Sequence, residues 1–342
     1  MDKYTAYFVI YILLGVCYIY YNTNTHEYFT NTPSNTPSST PSSTPSSTPS
    51  SSLASGPAQS HGPSQYVEDT PYCFTTKYNL SVLFICKNDE LVLDEFITHY
   101  LWQGVDHFYL IDNGSTDYTK TLITKYMVND KMTYYYNEDT ITDKNRHLYY
   151  NKAYSNMRTE TKWLIICDID EYIYNTTKKF TIQNYLNNHS YNTIAAIQIN
   201  CKLFGTGNII TEQENMRINF VWRDSKLLPS YKTILNTSLT KKIGECSNEY
   251  SPRSEIINNI SVLKMNKYLY VSKEYFIYKQ LLRYGTLRDD EYYKTSKNDT
   301  YDEELKNLVL AISTDNGAIE AYGRPHANFI ALSQTFTTKA LS

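Results

Sequence analysis

The sequence predicts an α/β fold: a mixed, largely parallel sheet with helices on both faces, behind an N-terminal transmembrane helix and a disordered stalk. Three observations lead there. Short apolar runs alternate with stretches whose apolar residues recur in pairs every four positions, as strand–helix–strand crossovers require. An uncharged apolar run lies at the N-terminus. A Ser/Thr/Pro repeat separates the two regions.

Residues 1–29 read as a signal anchor and its flank. Tyr4 to Tyr21 carries no charge, and as a helix it would extend about 27 Å, close to a hydrocarbon core of about 30 Å. Its tyrosines gather towards the two ends, where an interface suits them. Lys3 precedes the run and Glu27 follows it, so the positive-inside bias puts the N-terminus in the cytoplasm and the rest across the membrane. No small-x-small cleavage site follows. The expectation is an uncleaved anchor, a single-pass type II topology and a luminal or extracellular domain, ER/Golgi-like or at the surface.

Residues 30–70 are the stalk. Pro33, Pro37, Pro41, Pro45 and Pro49 recur every fourth position among Ser and Thr, which forbids helix and leaves little to bury. Only three prolines follow Pro71. A domain over 71–300 and a C-terminal helix and tail over 301–342 complete the division.

Within the domain, Ser81–Cys86 is the first strand, short and apolar enough to be buried in a parallel sheet. Val92, Leu93, Phe96, Ile97, Tyr100 and Leu101 form one face of the first helix. His107–Ile111 is the second strand. Asp117 is placed to cap the next helix, whose inner face carries Leu122, Ile123 and Tyr126. Thr133–Tyr136 is the third strand, and Trp163–Cys167 the most apolar of all.

Composition excludes some functions. A net charge of −3 with scattered Lys and Arg leaves no footprint for nucleic acid. The 35 tyrosines accompany abundant Asn, Lys, Ile and Thr, a bias of A/T-rich codons rather than a sign of sugar stacking. Six cysteines match neither a zinc site nor a dense disulfide framework. N-x-S/T sequons recur, but one falls at Asn113 inside the best candidate site, so their number is not evidence of glycosylation.

In such sheets ligands bind at the carboxyl ends of the strands, and three acidic clusters lie there. They are Asn88-Asp89-Glu90, the turn Asp112-Asn113-Gly114-Ser115-Thr116-Asp117, and Asp168-Ile169-Asp170-Glu171. In an extended segment Asp168 and Asp170 point the same way and would face one cation together. Carboxylates with substrate oxygens suit Mn²⁺ or Mg²⁺, and a diphosphate leaving group needs positive charge. Asp112 reads equally as an Asx turn and as an acceptor for the base or ribose of a nucleotide.

The stretch CKNDELVLDEFITHYLWQGVDHFYLIDNGSTDYT resembles the opening of family-2-like glycosyltransferases, especially the group around glycosyltransferase family 92. KWLIICDIDEYI is similar to that group's metal motif. FGTG at Phe204–Gly207, Lys232 with the stretch after it, and SKEYFIYKQLLRYG at Ser272–Gly285 follow its later landmarks. The resemblance implies a GT-A (Rossmann-like) fold and a metal-dependent, inverting, hexosyltransferase-like enzyme. It would move sugar from a nucleotide-sugar donor, often a UDP-sugar, to a hydroxyl of a glycan or glycoprotein. Carried over by position, Asn88, Asp112, Asp117 and Asp168 would bind the nucleotide-sugar, and Asp168 and Asp170 the Mn²⁺ or Mg²⁺. Asn88 and Glu95 would support the first strand–helix turn.

The chain also departs from the group. Gly244-Glu245-Cys246 stands where a histidine is expected, and Asn266-Lys267-Tyr268 replaces N-H-Y. A catalytically inactive GT-A domain serving as a stalked binding protein is therefore the alternative. A haloacid-dehalogenase-type phosphatase is disfavoured, because Glu171 follows the second aspartate. An inverting transfer needs a base, and Glu212, Glu214, Asp224 and Glu245 are not distinguished by sequence.

Overall fold

A computed structural model describes residues 76–284 and 297–315, apart from Ser190, Glu212, Cys246, Asn259, Ile260 and Tyr270. The expected anchor and stalk lie outside the described residues, as does Cys246. Among the described residues no helix is long and apolar enough to cross a membrane.

The first half alternates as expected: β1 (Tyr78–Cys86), α1 (Leu93–Trp102), β2 (His107–Asp112), α2 (Thr119–Val128), β3 (Met132–Tyr136), α3 (Arg146–Met157) and β4 (Thr161–Ile166). The second half adds β5 (Glu171–Asn175), α4 (Ile182–Asn187), β6 (Ile194–Phe204), α5 (Met216–Asn219) and β7 (Trp222–Asn236). Then follow β8 (Thr240–Lys242), β9 (Glu249–Tyr250), β10 (Glu255–Asn258), β11 (Leu263–Lys267), α6 (Lys273–Tyr284), β12 (Thr300–Tyr301) and α7 (Glu304–Asp315).

The main sheet runs β3-β2-β1-β4-β7-β6-β11-β5. The β3–β2–β1–β4 block is parallel. Strand β7 is inserted antiparallel between β4 and β6, β11 runs parallel to β6, and β5 closes the path antiparallel to β11. The sheet is thus mixed and largely parallel.

Alternation along β1 builds two cores. Leu80, Val82 and Phe84 pack with Leu93, Phe96, Ile97 and Tyr100 of α1. Leu83 faces the other way, towards Tyr150, Ala153, Tyr154 and Met157 of α3. Period two on the strand and a pair every four residues on the helix put apolar layers, and helices, on both faces. Gly104 ends α1 with φ +85°, and a Cβ there would lie 2.8 Å from the Gln183 Cβ. That backbone, and that approach of α4, need a glycine.

Candidate active site at the carboxyl ends of β1, β2 and β4

The register of the parallel block sets the site. Cys86 lies beside Asp112, and Leu83 beside Ile166, so the loops after β1, β2 and β4 emerge along one edge. All three acidic clusters are on those loops.

The loops after β1 and β2 are stitched together by Asn88. Its backbone is left-handed (φ 54°), a conformation that Asn tolerates better than most residues. Its Oδ1 accepts from the Thr116 N–H at 2.7 Å and the Asp117 N–H at 3.3 Å, and its own N–H donates to Ser115 Oγ at 3.0 Å. The Asp117 carboxylate accepts from the Glu90 and Thr119 N–H groups. It sits one residue before the Tyr118 cap position of α2, so it steadies the loop as well as the helix start. Glu90 returns the bond from the Tyr118 N–H at 2.7 Å. Lys279 of α6 covers this corner, bonding the Asp89 carboxylate and the Asn88 carbonyl oxygen.

Asp112 is fully buried. Its Oδ1 accepts from the Ser115 N–H and its Oδ2 from the Tyr134 hydroxyl, both at 2.7 Å. Burial, and then the Asp112 charge, push the Tyr134 hydroxyl's pKa up, which keeps it a donor. The carboxylate therefore holds the Asx turn, with both oxygens engaged inside the protein. Glu95 serves elsewhere: it accepts from the Met216 and Arg217 N–H groups and from Arg217 Nε, tying α1 to α5.

The segment after β4 is a turn rather than an extended strand. The Asp168 N–H donates to Glu171 Oε2 at 2.8 Å, and the Glu171 N–H to the Asp168 carbonyl at 3.1 Å. This folding brings a third carboxylate to the two expected ones. Asp168, Asp170 and Glu171 each offer an oxygen within 4.8 Å of the others.

Among the described residues three cations meet them. Lys232 of β7 lies 3.3 Å from Asp168 and 2.9 Å from Glu171. Lys267, at the end of β11, is 2.8 Å from Glu171, 3.4 Å from Asp168 and 3.7 Å from Asp170. Arg146, at the start of α3, bonds Asp168 and the Tyr150 hydroxyl. Burial would raise the Asp168 pKa, but Lys232, Lys267 and Arg146 outweigh it and hold the carboxyl far below the usual range. Glu171 moves the other way, raised by burial and then by Asp168. Both lysines are raised despite burial, by the same carboxylates.

The carboxylates alone would suit a hard divalent ion. The cluster as folded does not. Its three negative charges are already matched by three positive ones, and the Lys267 ammonium lies within ion-pair reach of all three carboxylates, where a bridging ion would go. Like unit charges about 4 Å apart repel by on the order of 4 kcal/mol near a protein surface, and a dication roughly doubles that for each cation.

Beside the cluster opens a cleft of about 410 Å³. Arg146 and Lys232 line it with Tyr150, Gln198, Tyr231 and Glu245; among the described residues, none of the three carboxylates does. Of the four acids considered as bases, Glu245 is the one on this cleft. Asp224 is paired with Lys297 at 3.1 Å, Glu214 is exposed elsewhere, and Glu212 is outside the described residues.

Sequence reading thus found the loops but missed Glu171, Arg146 and Lys267 as site residues, and took Lys232 only as a landmark. Glu171 was visible as the residue after D-x-D. The cations come from α3, β7 and β11, and only the sheet order brings those elements together.

The family model described as "Glycosyltransferase family 92" matches residues 87–307. No curated protein matches the chain. Among solved structures, the 1–349 portion of S. aureus TarS is similar at 15% identity with TM-score 0.34, covering 70% of this chain and 74% of that one. The same portion has been solved with UDP and with UDP-GlcNAc. HddC from Yersinia pseudotuberculosis is similar at 11% identity with TM-score 0.33, covering 56% of this chain and 93% of that one.

Proposed function

The chain belongs to glycosyltransferase family 92, and on that premise we propose that it transfers a sugar from a nucleotide-sugar donor, a UDP-sugar, to a hydroxyl of a glycan or glycoprotein. One observation carries the reading beyond membership: Arg146 and Lys232, both held by Asp168 just after β4, present positive charge to one cleft. A nucleoside diphosphate is the leaving group such a place accommodates.

In an inverting transfer the acceptor oxygen attacks the anomeric carbon from the face opposite the diphosphate. The new C–O bond forms as the bond to the phosphate oxygen breaks, and that oxygen keeps the electron pair. The hydroxyl proton passes to a base, for which Glu245 is our candidate. Cations already fixed near the departing oxygen stabilise its charge without reorganisation at the moment of transfer.

The reading includes an N-terminal anchor and a luminal or extracellular catalytic domain. Carbonate extraction and protease protection of the full chain test that placement. UDP release from a panel of UDP-sugars tests the activity, and an inactive stalked binding domain would bind nucleotide without releasing UDP.

A further inference from the structure

We propose that this glycosyltransferase works without a divalent metal ion: Lys267 takes the ion's place among the carboxylates, and Arg146 and Lys232 take over its charge at the diphosphate. The inference rests on the proposed transfer from a nucleotide-sugar.

The argument is one of charge and position. Asp168, Asp170 and Glu171 converge on one point, and the Lys267 ammonium is 3.4, 3.7 and 2.8 Å from them respectively. Among the described residues no other cation reaches all three. The Glu171 side chain is 2% exposed and that of Lys267 18%, so the pair is shielded from water and cannot separate cheaply. For a dication to bind the three carboxylates, the partly buried Lys267 ammonium would have to give up its ion pairs with all three.

The other two cations are arranged differently. Lys232 and Arg146 each contact Asp168 from one side and line the cleft on the other. The acids therefore orient the cations, and the cations face the ligand. A diphosphate entering the cleft meets a guanidinium, whose fork suits phosphate oxygens, and an ammonium as a point charge. When the anomeric C–O bond breaks, its electron pair goes to the β-phosphate oxygen, and these two groups neutralise the charge a metal would otherwise take.

The experiment uses the full 342-residue chain, stripped with chelator, and reads Mn²⁺ binding alone by calorimetry, then UDP binding with EDTA or with Mn²⁺. The wild type should take up no Mn²⁺ at millimolar concentration, and its UDP affinity should agree within about twofold in the two conditions. Lys267→Met should acquire Mn²⁺ binding, and Lys267→Arg, which keeps the charge, should not. Thermal melts show whether each variant folds, and Asp170→Asn gives a second variant that should leave the wild-type indifference to Mn²⁺ intact. Wild-type chain that binds Mn²⁺, or binds UDP about tenfold tighter with it, overturns the proposal and restores the ion at Asp168 and Asp170. The Mn²⁺ titration decides the point even if no nucleotide binds, a result that would sink the transferase reading separately.

Discussion

At the residue scale the candidate site is a set of three carboxylates, each paired with at least one cation. Asp168 touches Arg146, Lys232 and Lys267, and the depressed pKa that results keeps it charged well into acid. Lys232→Met should therefore lower the turnover of UDP-sugar by about 10²–10³-fold, the usual cost of removing one preorganised charge-stabilising group. Steady-state UDP release measures it, and the loss should fall on kcat more than on KM. Replacing Tyr134 by Phe removes one of the two bonds to buried Asp112 and should cost about 1–3 kcal/mol of stability, read by denaturant unfolding. Asp168 and Asp170 were legible because two acids after a strongly apolar strand are conspicuous. The cations were not, since an isolated Lys in a polar strand looks like any solvated residue until its neighbour across the sheet is known.

At the element scale, β1, α1 and β2 could be read almost to their ends because each carries its own period of apolar residues. β1 proved three residues longer at its start, where Tyr78 and Leu80 alternate with exposed Asn79. β7 could not be read: most of it is exposed or half-buried, Pro229 lies within it, and it becomes buried only at Ile234–Asn236. Its antiparallel insertion, which delivers Lys232, is a property of sheet order rather than of local pattern. Buried ion pairs hold such elements in place. Glu95→Gln removes one counter-charge of fully buried Arg217 and should destabilise the domain, by up to about 3–5 kcal/mol. Asp302, at the start of α7, bonds Lys202 of β6 and Arg223 of β7. Burial opposes its ionisation, but those two hydrogen bonds outweigh burial and lower its pKa below 3.8. A lowered folded-state pKa contributes stability above the unfolded value, and that contribution is lost as pH falls through the folded value. Melts of wild type and Asp302→Asn should therefore differ at pH 7 and converge as pH falls through the lowered folded-state value.

At the scale of the whole molecule, the described residues form a ten-stranded main sheet and a two-stranded one, β8-β9, and the three acidic clusters lie along one edge of the main sheet's parallel block. Strand–helix alternation made the edge visible in advance, because parallel strands send their carboxyl-end loops the same way. What sequence could not supply was the charge balance there, which depends on α3, β7 and β11 arriving from separate parts of the chain. The measurement that tests the central claim most directly is UDP release from UDP-sugars by the full chain, beside Arg146→Met and Lys232→Met variants shown by their melts to be folded. The account predicts release by the wild type with at least one donor and its near-complete loss in both variants. Release undiminished in the two variants, or no release from any donor by the wild type, would contradict it.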